Sequence, residues 1–512
     1  MLLNVEARRQ HTELVIGLVG AVGSNLGAVQ DVLLQLFSDV GYASEPVHLI
    51  ELLHEIDRWE RSTNRRRTVR IEKHMDAGDE FRKVIESDDA LAVLGVGRIQ
   101  KLRFKKTKDL RVPASRAVYI LKSLKHPHEV ATLREIYGPG FFLVAAYSPR
   151  EERVQNLATR IARSHNSHDL EGFREQAERL MSRDQRDAGK SYGQNVRHAF
   201  PLADVFVGTT DENSLQDQIQ RFVRLVLGDN SHTPNRDEYA MFHAYAAALR
   251  SGSLSRQVGA AIVTPTGEVI ALGTNEVPKY SGGQYWCDDD PDDRDIQRDE
   301  DSSDLIKRMN VGEILDRLSE GEGWLVEARR AMSTDDRVRA ALPILKNTRV
   351  TQLLEFGRAV HAEMAAITDA ARRGVAVQGS TLYTTTFPCH ECARHIIAAG
   401  ILKVIYIEPY PKSLAATLHD DAISVEGSIG KGSRVCFEPF VGVAPRQYLN
   451  LFPIFGERKT DDGTRIQWSA AAATPRLPGY PESYIESEKD ALELLYQKME
   501  NKNLKPVAEG GE

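Results

Sequence analysis

Five hundred and twelve residues exceed what one hydrophobic core sustains, since single cores stop growing near ~250–300 residues, so two domains are expected. A balance of 66 Lys and Arg against 73 Asp and Glu, with 41% hydrophobic and 27% charged residues, excludes a disordered or fibrous chain. The uncharged stretch Leu14–Gln30 is broken by Gly, Ser and Asn before it reaches the ~20 apolar residues of a membrane span, Met1–His11 lacks the apolar stretch of a signal peptide, and four cysteines are too few for a disulfide framework; a cytoplasmic protein is expected, with no membrane partner.

From Leu14 the chain reads strand, glycine-rich turn, helix: Leu14–Val19, then Gly20-Ala21-Val22-Gly23-Ser24-Asn25-Leu26-Gly27, then a periodic segment to about Phe37. Short apolar runs at Ala90–Gly95, Ala117–Leu121, Phe141–Tyr147 and Ala203–Val207 alternate with amphipathic stretches, the pattern of strand–helix units on a parallel sheet. The turn stands where a phosphate-cradling G-x-x-x-x-G-K-[ST] loop would stand, whose Lys reaches the phosphates and whose Ser or Thr holds magnesium. Aligned from Gly20, the second Gly, the Lys and the hydroxyl are replaced by Asn25, Leu26 and Gly27; aligned from Gly17, Ser24 keeps the hydroxyl but Gly23 takes the lysine position. Neither register supplies the cation. Gly20, Gly23, Ser24, Asn25 and Gly27 are therefore candidates for binding a nucleotide through backbone N–H groups at a helix N-terminus, without ordinary hydrolysis. Two basic stretches, Arg61–Arg70 and Arg98–Arg111, read equally as a face for a polyanion, a nucleotide or an RNA regulator, and as a solvated Arg-rich lid.

The alternation stops near Leu227, and the turn cluster Gly228–Pro234 marks a boundary, giving a first domain over 1–230. A helix over Asn235–Arg250 opens the second, followed by strands Val258–Thr264 and Glu268–Leu272 joined as a hairpin through Pro265-Thr266-Gly267. Cys287 to about Val350 reads as an insertion, beginning with the acidic run Asp288, Asp289, Asp290, Asp292, Asp293 and Asp295, whose spacing matches no calcium loop. Helices and strands resume from His361 to about Phe440, so the second α/β domain is placed at 231–458, and residues 459–512 are a polar, Pro-rich extension with one helical stretch near Ser483–Met499.

His361-Ala362-Glu363 and Pro388-Cys389-His390-Glu391-Cys392 carry the chemistry. One imidazole and two thiolates give Zn2+ three protein ligands and leave the fourth tetrahedral position for water, as in a catalytic site; a structural zinc ribbon would want four closed ligands. Zinc lowers the pKa of bound water from about 15.7 toward ~7, and a carboxylate two residues from the His ligand, Glu363, can shuttle protons without ligating. Cys389 after Pro388, at the start of a helix over Cys389–Ala399, gains from the positive helix end that favours thiolates. H-x-E with P-C-x-x-C is the signature of zinc nucleobase deaminases.

With these motifs in order, the segment from about Pro234 to Phe440 resembles the deoxycytidylate deaminase family. Ser255-Arg256-Gln257-Val258-Gly259-Ala260-Ala261-Ile262 is similar to its first strand and Gly273-Thr274-Asn275-Glu276-Val277-Pro278 to its substrate loop. With the first domain attached, nearly the whole chain resembles the bacterial anti-phage dCTP/dCMP deaminases, in which a P-loop kinase-like domain precedes a cytidine-deaminase-like α/β/α domain. The resemblance implies zinc ligation by His361, Cys389 and Cys392, proton transfer by Glu363, a sugar contact by Asn275, and conversion of dCMP, dCTP or both to the deoxyuridine nucleotide, starving an infecting phage of a DNA precursor. For the phosphates, Arg256, Tyr410 and Lys412 have suitable chemistry, and Arg256 and Lys412 read equally as solvated surface charges. Cys287 reads as a second-site ligand or an inert small hydrophobe. An assembly of identical subunits is expected. The competing reading is an editing deaminase that acts on cytosine within a nucleic acid, anchored by the basic stretches.

Overall fold

The computed structural model describes residues 13–505 apart from 60–66, 168, 187–192, 300, 322, 347, 354–355, 411, 427–433 and 477–480. It divides into two compact units, Met1–Tyr239 with Pro439–Glu512, and Ala240–Glu438. No helix among the described residues is long and apolar enough to cross a membrane.

The first unit is built on a six-stranded sheet in the order β12-β5-β4-β1-β3-β2. Its central strand β1 (Leu14–Val19) is buried at every position, as a strand covered on both faces must be, and it pairs in parallel with β3 (Ala117–Leu124) and β4 (Phe141–Tyr147). β2 (Ala43–His48) joins β3 in parallel, and β5 (Val205–Gly208) joins β4 in parallel. Helices α1 (Leu26–Asp39) and α6 (Glu212–Val226) send Val29, Leu33 and Phe37, and Ile219, Phe222 and Val223, into one core with Leu14, Ile16, Phe142 and Val144. Between these elements run α2 (Ala90–Thr107), α3 (Pro127–Tyr137), α4 (Arg150–Ser164) and α5 (Arg174–Arg186).

Two elements differ from the sequence reading. Ala90–Gly95, expected as a strand, forms the first turns of α2: a short apolar run does not distinguish a buried strand from a buried helix start, and Gly95 allows Leu49 and Leu121 to approach so closely that an added Cβ would lie 2.6 Å from Leu49 Cδ2. β2 gave no apolar signal because it is the sheet's edge, carries Pro46 and buries only Val47.

The domain boundaries also need correction. The turn cluster at 228–234 lies inside the first unit, where Asn230 accepts from the Phe455 N–H and Trp468 donates to the Leu227 carbonyl. Residues 439–458, expected in the second domain, return to the first: β12 (Gly442–Val443) pairs antiparallel with β5. Residues 459–512 belong there too, and α12 (Pro481–Asn501) delivers Glu488 to a buried ion cluster in which Arg103, 0% exposed, bonds Glu13 Oε2 at 2.7 Å and Glu488 Oε2 at 2.6 Å. Turn residues signal that the chain bends, but not to which core it returns. Of the Arg98–Arg111 stretch, open to reading as a polyanion face or a solvated lid, Arg103 belongs to neither because it is core, and Lys101 and Lys106 pair with Glu55 and Glu45. Within the other basic stretch, 61–66 lie outside the described residues.

The second unit begins within α7 (Arg236–Ala248). Its sheet runs β10-β11-β9-β8-β6-β7, with β6 (Gly259–Val263) antiparallel to both β7 (Val269–Thr274) and β8 (Thr381–Thr386), and β9 (Lys403–Glu408) parallel to β8. β10 (Ile423–Val425) and β11 (Val435–Pro439) complete the sheet in parallel with each other. The two longest helices of the insertion among the described residues are α8 (Ser302–Glu320) and α9 (Thr334–Leu345). Four side chains of its acidic run have cationic partners: Asp289 pairs with Lys279, Asp292 with Arg294, Asp293 with Arg298 and Asp295 with Arg358.

Candidate active site

Two helix starts in the second unit carry the metal-binding side chains. His361 is the N-cap of α10 (Ala362–Arg372), and Cys389, following β8, is the N-cap of α11 (His390–Ala398), where its sulfur accepts the Cys392 N–H. Gly273 sets α10 against β7: a Cβ there would lie 2.0 Å from the Ala362 carbonyl oxygen and 2.5 Å from the Ala366 nitrogen, a distance no side chain tolerates. That contact fixes the turn that bears both His361 and Glu363. Ala362, Ala366, Cys389 and Cys392 share one core with Leu382, Ile396 and Phe437, so the site is part of the packing and not an appendage to it.

His361 Nδ1 lies 3.3 Å from the sulfurs of both Cys389 and Cys392. A tetrahedral zinc with bonds of ~2.3 Å to sulfur and ~2.0–2.1 Å to nitrogen separates such donors by about 3.5 Å, so the donor set fits the ion in kind and in spacing. The hydrogen bond with Cys392 lowers Cys389 to about 4, with His361 contributing, and the same pairing pushes Cys392 well above the ordinary thiol range. The bond to Cys389 raises His361 to about 9. Glu363 is buried beside them, with Oε2 3.5 Å from Cys392 Sγ, and burial raises its carboxyl to about 7.

The residues expected to contact substrate gather on one rim. The Arg256 guanidinium stands 5.6 Å from the Tyr410 ring centre and donates to Glu408 Oε2 at 2.9 Å. Glu408 also accepts from the Thr386 hydroxyl, and Ser413 donates to the Pro388 carbonyl, tying this rim to the residue before Cys389. Lys412 is exposed on the same loop. Asn275 is buried with both ends of its amide in use: Oδ1 accepts the Val258 N–H at 2.7 Å and Nδ2 donates to the Arg256 carbonyl at 2.8 Å. Sequence reasoning missed Glu408, the partner of Arg256, and Glu276, a buried carboxylate that accepts the Gly252 and Val277 N–H groups and braces the loop. No local motif marks either one. Cys287 is exposed and lies outside the His361 group, and Cys436 is half-buried.

In the first unit, the Gly20–Gly27 turn links β1 to α1 as expected. Asn25 is the N-cap and its side chain accepts the Ala28 N–H; Gly23 has φ +92° and lies against Arg153, whose carbonyl oxygen would be 2.7 Å from an added Cβ. Three cations from elsewhere in the chain lie against the turn. Lys125 Nζ donates to the Gly20 carbonyl at 3.2 Å, Lys122 Nζ would lie 3.8 Å from a Cβ on Gly27, and Arg160 donates to Asn25 Oδ1 at 3.2 Å. Asp184 accepts the Val22 N–H, and Ser24 is buried.

The family model for the zinc-binding region of cytidine and deoxycytidylate deaminases matches residues 234–408. The deoxycytidylate deaminase of Enterobacteria phage T4 is 30% identical over 172 residues, covering 33% of this chain and 76% of that protein. The probable deoxycytidylate deaminase of Drosophila melanogaster is 27% identical over 194 residues, 37% of this chain and 70% of that one. A crystal structure of dCMP deaminase from cyanophage S-TIM5, in complex with dCMP and dUMP, overlaps 41% of this chain and 100% of its own at 19% identity; its TM-score of 0.23 adds no weight to the sequence match. The match to the phage enzyme, together with a His–Cys–Cys centre of the right spacing beside a buried glutamate, establishes that this chain belongs to the deoxycytidylate deaminase family, whose zinc-binding region lies in its second unit.

Proposed function

We propose that the protein hydrolyses the exocyclic amine of deoxycytidine nucleotides, dCMP, dCTP or both, releasing ammonia and the deoxyuridine nucleotide. The observation that carries this reading is the buried Glu363 carboxyl held against a zinc-competent His361–Cys389–Cys392 set. Zinc held by those three residues supplies the Lewis acidity that makes water nucleophilic at neutral pH. Glu363 takes one proton from the attacking water and delivers it to the ring nitrogen as the C4–O bond forms, then takes the remaining proton from the C4 hydroxyl and passes it to the amine, which leaves as ammonia as the C4–N bond breaks and the C4 carbonyl forms. Its burial keeps bulk water from competing for that proton. Arg256, Tyr410 and Lys412 are the proposed phosphate side of the site, and Asn275, whose Nδ2 has a second hydrogen to give, the sugar side.

We also propose that the first unit is a P-loop kinase-like regulator with a degenerate loop, binding a nucleotide at Gly20, Gly23, Ser24, Asn25 and Gly27 or responding to an RNA, in a cytoplasmic homo-oligomer that depletes DNA precursors during phage infection. The support is the 2-3-1-4-5 order of its parallel strands behind a glycine turn, and the resemblance of the two-unit chain to anti-phage deaminases. Ammonia release measured on cytosine, deoxycytidine, dCMP, dCTP and cytosine-containing oligonucleotides tests the substrate reading. Turnover of free nucleotides is expected; turnover confined to the oligonucleotides would replace it with nucleic-acid editing.

A further inference from the structure

Another cluster of metal-ligating side chains lies in the first unit, where the turn before α2 meets the start of α3. His126 is the N-cap of α3, His128 stands in its first turn, and Asp88 precedes Asp89, the N-cap of α2. The donor atoms of Asp88, His126 and His128 all lie within 4.8 Å of one another. His128 Nδ1 is 3.1 Å from Asp88 Oδ2, and His126 Nε2 is 3.8 Å from the same oxygen. Nitrogen and oxygen donors ~2.0–2.1 Å from a tetrahedral zinc are separated by about 3.3 Å, a value between those two distances.

An ordinary Asp–His pair accounts for the shorter contact. It does not account for a second imidazole facing the same oxygen at 3.8 Å, beyond hydrogen-bond range. Nor does it account for Asp88 Oδ1, which is buried with no hydrogen-bond partner among the described residues. Both are what three ligands disposed about a common centre leave behind. We propose that Asp88, His126 and His128 form a second metal site that takes a first-row divalent ion, Zn2+ foremost, separate from the deaminase centre.

The donor set selects the class of ion. Two imidazoles and a carboxylate suit borderline transition metals, whereas Mg2+ and Ca2+ require more oxygen ligands than the cluster offers. The nearby Arg82 does not repel the ion at full charge, because it is buried against Glu129 at 3.1 Å and Asp79 at 3.3 Å. The positive ends of α2 and α3 oppose a cation, and the Asp88 carboxylate offsets them. Binding at His126 Nε2 leaves the ring proton on Nδ1 and gives up the long 3.3 Å contact from the His128 N–H. In return the ion clamps α3 to the turn that starts α2, one residue beyond Lys125, whose ammonium reaches Gly20 in the glycine turn.

Cobalt distinguishes the two sites in the intact protein. Co2+ bound by Cys389 and Cys392 has an intense near-ultraviolet thiolate-to-metal charge-transfer band, whereas Co2+ bound by two His and one Asp has only weak visible bands. Titrating the metal-depleted full-length chain should show one equivalent that develops the charge-transfer band and a second that binds without increasing it. The His128 side chain is 66% exposed, so His128→Ala leaves the fold undisturbed; it should weaken the second equivalent more than about 100-fold and keep the charge-transfer band. Asp88→Asn should do the same. Saturation at one equivalent with full charge-transfer intensity, or a second equivalent unaffected by either substitution, would overturn the proposal. A missing charge-transfer band would instead count against the deaminase centre and leave this one standing.

Discussion

The molecule uses the same local device twice, a strand running through a tight turn into a capped helix, and fills it differently. At Cys389 the chemistry is carried by the turn and its helix: Cys389 caps α11 and accepts the Cys392 N–H at 3.4 Å, and Cys392 follows within one helical turn. At Gly20–Gly27 the turn offers backbone groups and the Asn25 cap but no cation of its own. Asn25 caps α1 by accepting the Ala28 N–H at 3.3 Å, and every nearby cation is contributed by a distant segment, Lys122 and Lys125 from β3 and just beyond it, Arg160 from α4. The first turn therefore concentrates its chemical groups in single residues, and the second gathers its cations from across the fold.

The most severe test of the concentrated site is to remove its metal. Prolonged treatment with a strong chelator should abolish ammonia release and re-addition of zinc should restore it, because the nucleophilic water depends on the ion held by His361, Cys389 and Cys392. Persistent activity in protein shown by elemental analysis to be zinc-free would break the comparison outright. Glu363→Ala should lower kcat by about 10²–10⁴-fold while zinc content stays unchanged, since it removes proton transfer and no ligand. A variant that lost zinc along with activity would mean that Glu363 holds the centre together instead.

The distributed unit should fail through stability before it fails through chemistry. Arg103 is the shared partner of Glu13 and Glu488, and both carboxylates are buried. Arg103→Met strands them without a counter-ion, so unfolding of the first unit should become easier by about 3–5 kcal/mol, read as a lower urea midpoint for that transition. Because α12 supplies Glu488, truncation before Pro481 should produce a comparable loss. A shift under about 1 kcal/mol for Arg103→Met would show that the cluster is hydrated and weak.

This contrast explains what the sequence could reveal. His361, Glu363, Cys389 and Cys392 are legible because ligand spacing is a local property of two helix starts, and β1, β4 and the Ala117–Leu121 part of β3 are legible because a strand covered on both faces reads as an apolar run. The placement of α12 against Arg103 is not legible: Glu488 and Arg103 are 385 positions apart, and each looks like an ordinary surface charge. For the same reason neither the burial of Arg103 within a basic stretch nor the chain's return through β12 to the first unit is legible. Asn275 shows a subtler limit, since its motif position suggests a ligand contact while its amide braces the backbone of Arg256 and Val258.

Arg256 offers a smaller test of the concentrated site. It is 42% exposed and paired with Glu408, an interaction worth about 0–1 kcal/mol for folding, so Arg256→Ala should leave stability nearly unchanged. If the guanidinium takes a phosphate, KM for dCMP should rise roughly tenfold or more with kcat little altered, and turnover of deoxycytidine, which has no phosphate, should be unaffected. Equal losses on both substrates would make Arg256 a brace for the rim.

The smallest effect is expected at Lys122, and its size decides whether the glycine turn has found a substitute for its missing lysine. In a working loop one lysine reaches the β- and γ-phosphates, and its loss is severe. Here Lys122 approaches Gly27, Lys125 bonds the Gly20 carbonyl and Arg160 bonds Asn25, so no one cation holds the field alone. Lys122→Ala should therefore weaken calorimetrically measured ATP binding to the full-length chain by less than about tenfold, or 1.4 kcal/mol, and the Lys122→Ala, Lys125→Ala pair by clearly more than the single change. Complete loss of binding from Lys122→Ala alone would identify a single lysine, displaced onto β3, doing the work of the motif, and the contrast between a concentrated site and a distributed one would disappear.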